Sequence, residues 1–381
     1  MQKAKTASPE SLLTLCADVS SFYGFRPVKE LERTVPATDR TRGNHTFASV
    51  ARTCVTAVAQ NPTEPAMAYY ATPAPSHLPT GLTLRDTGEF GLSIVGSSES
   101  LGEVMLIKTI AAILQESGTP VSGIRLNALG DRDSQQRFSR ELSLFFRKHA
   151  NVFEAAGGAG TTENPMAAYR TASVTQRDVL ADAPRSVNFL SEKSRSHFRN
   201  ILEQLEHLGL PYQLDYSLMS DDREQRVLFA IDIENSETAV MGSIGGRYDD
   251  FVRRMTGRKE GAAVHASIFF ARKGAERGHF NPLPGGGAPR VYFVQLGSKA
   301  KLQGLRVVDM LRTARIPALQ SFDTSHLSQQ LAAANKAGVP YVFIMGQREV
   351  LDGTIIVRSA VRGTQTTVQL ADLPRVLKTL R

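Results

Sequence analysis

Nine residues at the start of the last quarter of the chain, Asn281-Pro282-Leu283-Pro284-Gly285-Gly286-Gly287-Ala288-Pro289, carry three prolines and three glycines. Proline removes a backbone donor and fixes φ, while glycine adds conformational freedom, so a regular element does not continue through such a stretch. It divides the chain into two folding units, as a length of 381 residues also suggests, since single cores stop growing near roughly 250–300 residues. The two sides differ in charge. Residues 288–381 hold thirteen Lys and Arg against five Asp and Glu, a surplus equal to the whole formal +8, whereas residues 1–287 hold 32 of each sign. A basic unit on a neutral body points to a polyanion such as nucleic acid; the alternative is a solvated surface that happens to be basic.

Beyond the linker, Val291 to Leu296 and Tyr341 to Met345 read as buried strands, and Lys299 to Thr313 and Ser325 to Ala337 as helices. Alternating strands and helices imply a mostly parallel sheet. The segment Gly346 to Val350 leads through the turn Asp352-Gly353 into a strand Thr354 to Arg358, which returns through Arg362-Gly363 into Thr366 to Leu370 as a hairpin. A helix from Leu373 to Leu380 closes the unit.

In the body, helices are predicted over Ser11 to Phe22, Glu99 to Glu116, Ser134 to His149 and Ser191 to Leu208. Strands are predicted at Ala68 to Ala71, Gly91 to Gly96, Ile124 to Leu129, Leu228 to Glu234 and Ala239 to Ile244. The Gly-rich run Ala155 to Thr162 marks a loop or an insertion boundary. Cys16 and Cys54 have no companions at zinc spacing and make no disulfide framework, so they read as buried thiols, and no metal is expected. There is no apolar run of about 20 residues to cross a bilayer, and the first twenty residues lack the pattern of a targeting segment. A cytoplasmic protein without a membrane contact is the expectation.

The run Gly245-Gly246-Arg247-Tyr248-Asp249-Asp250-Phe251-Val252 follows a strand-like segment. Paired glycines let a ligand or a neighbouring strand approach the backbone, and Arg247 and Tyr248 offer a guanidinium fork and a hydroxyl. The alternative is a tight strand-to-helix bend, with Arg247 in a buried ion pair to Asp249 or another acid. Three further blocks stand in order with it: Tyr23-Gly24-Phe25-Arg26-Pro27-Val28, Ile124 to Asp131, and Leu190-Ser191-Glu192 through His197-Phe198 to Leu208-Gly209-Leu210-Pro211-Tyr212. Together these blocks resemble the histidyl-tRNA synthetases, a class II aminoacyl-tRNA synthetase family, over most of the chain. The resemblance implies an α+β fold, with an antiparallel sheet flanked by helices over residues 1–280 and a small insertion near 150–190. It further implies a linker at 281–289 and an α/β anticodon-binding-like domain over 290–381.

The resemblance also locates what has changed. Amino-acid activation with ATP needs cations beside the triphosphate, because charge builds on the departing pyrophosphate. Where the family carries a motif 2 arginine, this chain reads Tyr69-Tyr70-Ala71-Thr72-Pro73-Ala74-Pro75-Ser76, without a basic residue; His77 reads as an exposed loop residue. The arginine-glycine-leucine-aspartate-tyrosine-tyrosine signature aligns with Met219 to Glu224, an acidic run that reads as a solvated loop. At motif 3, Val264-His265-Ala266-Ser267-Ile268-Phe269-Phe270-Ala271-Arg272 keeps Arg272 but has Phe269 and Ala271 where the family has glycine and glutamate. Arg85 and Glu89 match positions near substrate, or form a surface pair on a hairpin.

Three function classes follow. The first is a synthetase paralogue without catalysis that binds tRNA or another RNA, or acts as the regulatory partner of another enzyme. The second is an active, divergent histidine-tRNA ligase, for which Arg85 and Arg272 should converge. The third is the regulatory subunit of ATP phosphoribosyltransferase. Remnants of a ligand pocket are expected at Arg85, Glu89, Gly245, Gly246, Arg247, Tyr248 and Arg272. RNA contacts are expected from Arg290, Lys299, Lys301, Arg306, Arg312, Arg315, Arg348, Arg358 and Arg362. A homodimer is expected. No cofactor is expected unless the ligase is active, which would require ATP and Mg²⁺.

Overall fold

The computed structural model describes residues 9–41, 45–62, 64–75, 77–78, 82–155, 164–175, 179–219, 225–234, 239–258, 261–272, 288–321 and 326–380. Helix α1 (Pro9–Phe22) leads through strand β1 (Arg26–Pro27) and helix α2 (Val28–Glu32) to α3 (Phe47–Gln60), β2 (Ala66–Thr72) and β3 (Thr87–Val95). Then follow α4 (Leu101–Glu116), β4 (Val121–Ala128), α5 (Arg132–Lys148), α6 (Ala150–Ala155) and α7 (Pro165–Thr175). Helix α8 (Glu192–His207), β5 (Gln213–Leu214), β6 (Val227–Ile233), β7 (Val240–Arg247), α9 (Asp249–Thr256) and β8 (Ala263–Ala271) complete the body.

Its eight strands run in the order β1-β2-β3-β8-β7-β6-β4-β5. The six central strands pair antiparallel, while β1 and β5 join the edges in parallel. The alternation along each strand sorts side chains between two layers. Tyr69, Ala71, Phe90, Leu92, Ile94, Ala266 and Ile268 share one core with α1, α4 and α8. Ala68, Tyr70, Val95 and Ala263 face the other way, onto Val50, Ala51, Cys54 and Val55 of α3. Helix α3 is fixed at its start by Thr46 Oγ1, which accepts from the Ser49 amide, and by Ser49 Oγ, which accepts from the Thr46 amide. The insertion region contributes a core of its own, in which Phe153, Tyr169 and Ala172 pack with Phe138, Leu142 and Phe146 of α5.

The terminal unit comprises β9 (Val291–Gln295), α10 (Ser298–Thr313), β10 (Ala318–Gln320), α11 (Leu327–Ala337), β11 (Tyr341–Met345), α12 (Gln347–Asp352), β12 (Thr354–Ser359), β13 (Gln365–Gln369) and α13 (Leu373–Thr379). The sheet, ordered β10-β9-β11-β12-β13, is not mostly parallel: β10-β9 and β9-β11 are parallel, but β11-β12 and β12-β13 are antiparallel. Antiparallel return is possible because α12, which sequence periodicity missed, reverses the chain over six residues. Its first turn is held by Glu349 Oε2 accepting from the Gly346 amide at 2.8 Å, and it ends at Gly353 with φ of 64°, a conformation glycine adopts without strain. Residues 281–287 of the expected linker, 156–162 of the Gly-rich run and Ser325 of the expected second terminal helix lie outside the described residues.

The two sheets are joined through α10, which packs against α1 and α4. Tyr23 Oη donates to Asp309 at 2.5 Å, Asp309 also meets Lys108, and Arg312 bridges Asp309 and Glu116. Among the described residues no helix is long and apolar enough to cross a membrane.

Candidate functional site

Strand β7 runs straight through Gly245 and Gly246, so the expected bend falls one step later, at Tyr248. The glycines are required by close approach. A Cβ on Gly245 would sit 2.3 Å from the Phe229 ring and 2.7 Å from Ala266 Cβ, and one on Gly246 would sit 2.3 Å from the Val227 carbonyl oxygen. Both positions therefore pack strand on strand, and neither opens a ligand surface.

Arg247 is 3% exposed, and its donors are engaged within the protein. Nε donates to Glu103 Oε1 and Nη2 to Glu103 Oε2, both at 2.7 Å, while Nη1 reaches the Ser97 carbonyl and Asp249 Oδ1 and Nη2 the Glu99 carbonyl. Burial pushes the Glu103 carboxyl up, but Arg247 and the His197 imidazole, 2.8 Å from Oε1, outweigh it and hold the pKa at about 2. The expected ligand-facing fork is thus corrected to a buried ion pair. Tyr248, also buried, accepts from Gln225 Nε2 at 2.9 Å.

On the α3 side of the sheet lies a polar cluster. Glu89, 3% exposed, is no surface partner of Arg85: it accepts from Tyr70 Oη at 2.8 Å and Ser267 Oγ at 2.7 Å. His265 places Nε2 3.1 Å from Ser267 Oγ and Nδ1 3.0 Å from Ser93 Oγ. Burial raises the Glu89 pKa, and its contact with His265 together with the bonds from Ser267 and Tyr70 reverses that, leaving it below the ordinary value. Sequence reasoning found Glu89 but not the roles of Tyr70, Ser93, His265 and Ser267. Period-2 alternation within each strand was the available signal, and strand order was the missing one.

At the end of β8, half-buried Arg272 donates from Nη1 to the Pro73 carbonyl at 2.8 Å and from Nη2 to the Arg85 carbonyl at 2.6 Å, gathering both ends of the β2-β3 connection. Arg85 itself is exposed. Two further body arginines are matched to acids. Arg125 is clamped by Asp232 at 2.5 and 2.7 Å and by Asp215 at 2.6 Å, and Arg226 by Asp250 at 2.7 and 2.8 Å. Met219 is buried, not part of a solvated loop, and residues 220–224 lie outside the described set. His77 is half-buried. Among the described residues no group of three or more His, Cys, Asp or Glu is placed to hold a metal ion.

A family profile described as "Anticodon binding domain" matches residues 290–380. The Histidine--tRNA ligase of Bacillus velezensis is 27% identical over 328 residues, covering 84% of this chain and 76% of that protein. That of Bacillus subtilis is 26% identical over 328 residues, with the same coverage. The corresponding protein of Rubrobacter xylanophilus is 25% identical over 296 residues, covering 74% of this chain and 66% of that protein. Over most of its length the chain is similar to histidine--tRNA ligases, and its last unit matches an anticodon-binding domain. A crystal structure of apo S. aureus histidyl-tRNA synthetase aligns with 99% of each chain at 18% identity and a TM-score of 0.48.

Within residues 290–380, which match the anticodon-binding domain, the expected RNA-contacting residues fall into three groups. Arg312 is 5% exposed and paired with Glu116 and Asp309, so it has almost no surface to offer RNA, which corrects its place among the expected contacts. Arg315 is exposed but lies 3.0 Å from Glu116, and Arg306 donates to the His207 carbonyl, so both face the body. Lys301 and Arg290 are half-buried. Lys299, Arg348, Arg358 and Arg362 are exposed, with Arg348 3.5 Å from Asp352 in its own helix. Arg358 and Arg362 stand together on the β12-β13 hairpin.

Proposed function

We propose that this histidyl-tRNA synthetase relative binds tRNA through residues 290–380 and does not form an aminoacyl-adenylate at a useful rate. Adenylation joins a carboxylate oxygen to the α-phosphorus while pyrophosphate departs, and free guanidiniums aimed at the phosphates lower that barrier. Removing one such donor costs on the order of 10²–10³ in rate. The carrying observation is that Arg125, Arg226 and Arg247 each face a carboxylate of the protein itself at 2.7 Å or less. Moving any of them to a triphosphate would strand that carboxylate, which is fully buried in the case of Glu103.

One observation favours an active ligase instead. Arg272 holds the backbone carbonyl of Arg85, whose own side chain is exposed, and the Arg272 donors now on carbonyl oxygens could turn to phosphate. Histidine-dependent ATP–pyrophosphate exchange separates the two readings. Exchange at the level of a no-enzyme control supports the proposal; exchange above it that Arg272→Ala abolishes overturns it. For RNA, filter binding of tRNA should show affinity falling with salt. Arg358→Ala/Arg362→Ala should weaken binding of all tRNAs alike and flatten the logarithmic salt slope by roughly 0.9 per lost phosphate contact.

A further inference from the structure

His265 occupies a centre built for an imidazole. It lies in β8, opposite Ser93 of β3 and Gly246 of β7, with its ring on the α3 side and 1% exposed. Phe47 of α3 stacks on it at 4.2 Å and 16°, Tyr70 lies nearly parallel at 5.9 Å and 7°, and Tyr248 meets it edge-on at 6.1 Å. Ser267 Oγ donates its one proton to Glu89, so the Ser267 oxygen is left to accept from Nε2–H of His265. The same nitrogen is 3.7 Å from Glu89 Oε1, and Ser93 Oγ meets Nδ1. Both ring nitrogens and the ring faces thus have dedicated partners drawn from four separate elements.

An ordinary strand core at this position would be aliphatic, as it is at the neighbouring Ala263 and Val95. Here two serine hydroxyls meet the ring nitrogens and a carboxylate, itself held by the Tyr70 hydroxyl, lies beside one of them, and the backbone has been thinned to admit the aromatic groups: a Cβ on Gly91 would lie 2.3 Å from the Tyr70 ring, and Gly246 leaves the position across from His265 without a side chain. We infer that this is an imidazole-binding site closed in cis, in which the side chain of His265 takes the place of a free imidazole-bearing ligand and excludes it. The inference deepens the proposed function, since a site filled by the chain itself has no room for a substrate of that class.

The test removes the occupant. His265→Gly leaves a polar cavity bounded by Phe47, Tyr70, Ser93, Glu89 and Ser267, and thermal unfolding is followed with and without free imidazole. Imidazole at thirty times its Kd should shift the folding equilibrium of this variant about 30-fold and leave the wild type unchanged. Addition of Ser267→Ala to the variant should weaken that rescue. Should His265→Gly fail to fold alone, its refolding yield with and without imidazole gives the same readout. No rescue by imidazole, or equal rescue by benzene, overturns the inference, since the latter would mark an unspecific apolar void. Because imidazole rescue is measured without ATP or tRNA, its failure is separate from any result of the exchange assay.

Discussion

Replacing Arg247 by Met keeps the length of the side chain and removes the cation that balances Glu103. The carboxyl of Glu103 is held near 2 against an ordinary value near 4.5, which corresponds to about 3 kcal/mol of preference for the charged form in this site. Without Arg247, Glu103 retains only the bond to His197, and breaking a buried pair from one side typically costs about 3–5 kcal/mol. In a domain of this size that lowers the melting temperature by roughly 10 °C. Urea unfolding followed by circular dichroism gives the difference directly. The Arg247→Met/Glu103→Gln double variant should be more stable than Arg247→Met alone, because it no longer strands a charge. The pH dependence carries a sign. A depressed carboxyl stabilises the fold fully above its unfolded pKa near 4.5 and loses that contribution as pH falls toward 2, so the wild-type advantage over the double variant should shrink between those limits. An Arg247→Met protein within 1 kcal/mol of wild type would refute the assignment of Arg247 to the buried network and return it to the ligand-facing set.

Two further outcomes follow from contacts within the body and between its parts. Gly245→Ala forces a methyl against Phe229 and Ala266 and should cost about 1–3 kcal/mol, while Gly246→Ala meets the Val227 backbone oxygen, which cannot rotate away, and should lower the melting temperature further. Arg312→Ala leaves Glu116 and Asp309 without their shared cation and should speed amide hydrogen exchange on α10, with Tyr23→Phe, which loses one bond to Asp309, having a smaller effect; unchanged exchange would mean that Lys108, Tyr23 and Arg315, with the apolar packing, hold the units together without Arg312.

The antiparallel body was legible because its motifs stand in family order and its strands alternate cleanly between two cores. What was hidden depended on partners far apart in sequence. The GGRYD run shows two ways to use an arginine, and the deciding residue, Glu103, lies 144 positions away. Arg85 and Glu89 look like a hairpin pair, yet four residues along a strand preserve the facing side, so Glu89 shares its side with Ser93 and meets residues of β8 that only strand order places there. In α12 the local signal existed, since Glu349 stands three residues after Gly346, but the Asp352-Gly353 pair is equally the mark of a turn.

The charge count shows the same limit and sets a bound on RNA binding. Thirteen cations in residues 288–381 suggest a wide electrostatic footprint, but Arg306, Arg312 and Arg315 turn toward the body, which leaves at most ten for a polyanion. Glu116, the acid that Arg312 and Arg315 meet, belongs to the otherwise neutral body, so part of the domain's excess charge serves to orient it on the synthetase-like core. A logarithmic salt slope of tRNA binding steeper than about −9 would require these docked arginines to release their partners and join the contact, and would show that the domain detaches from the body when RNA binds.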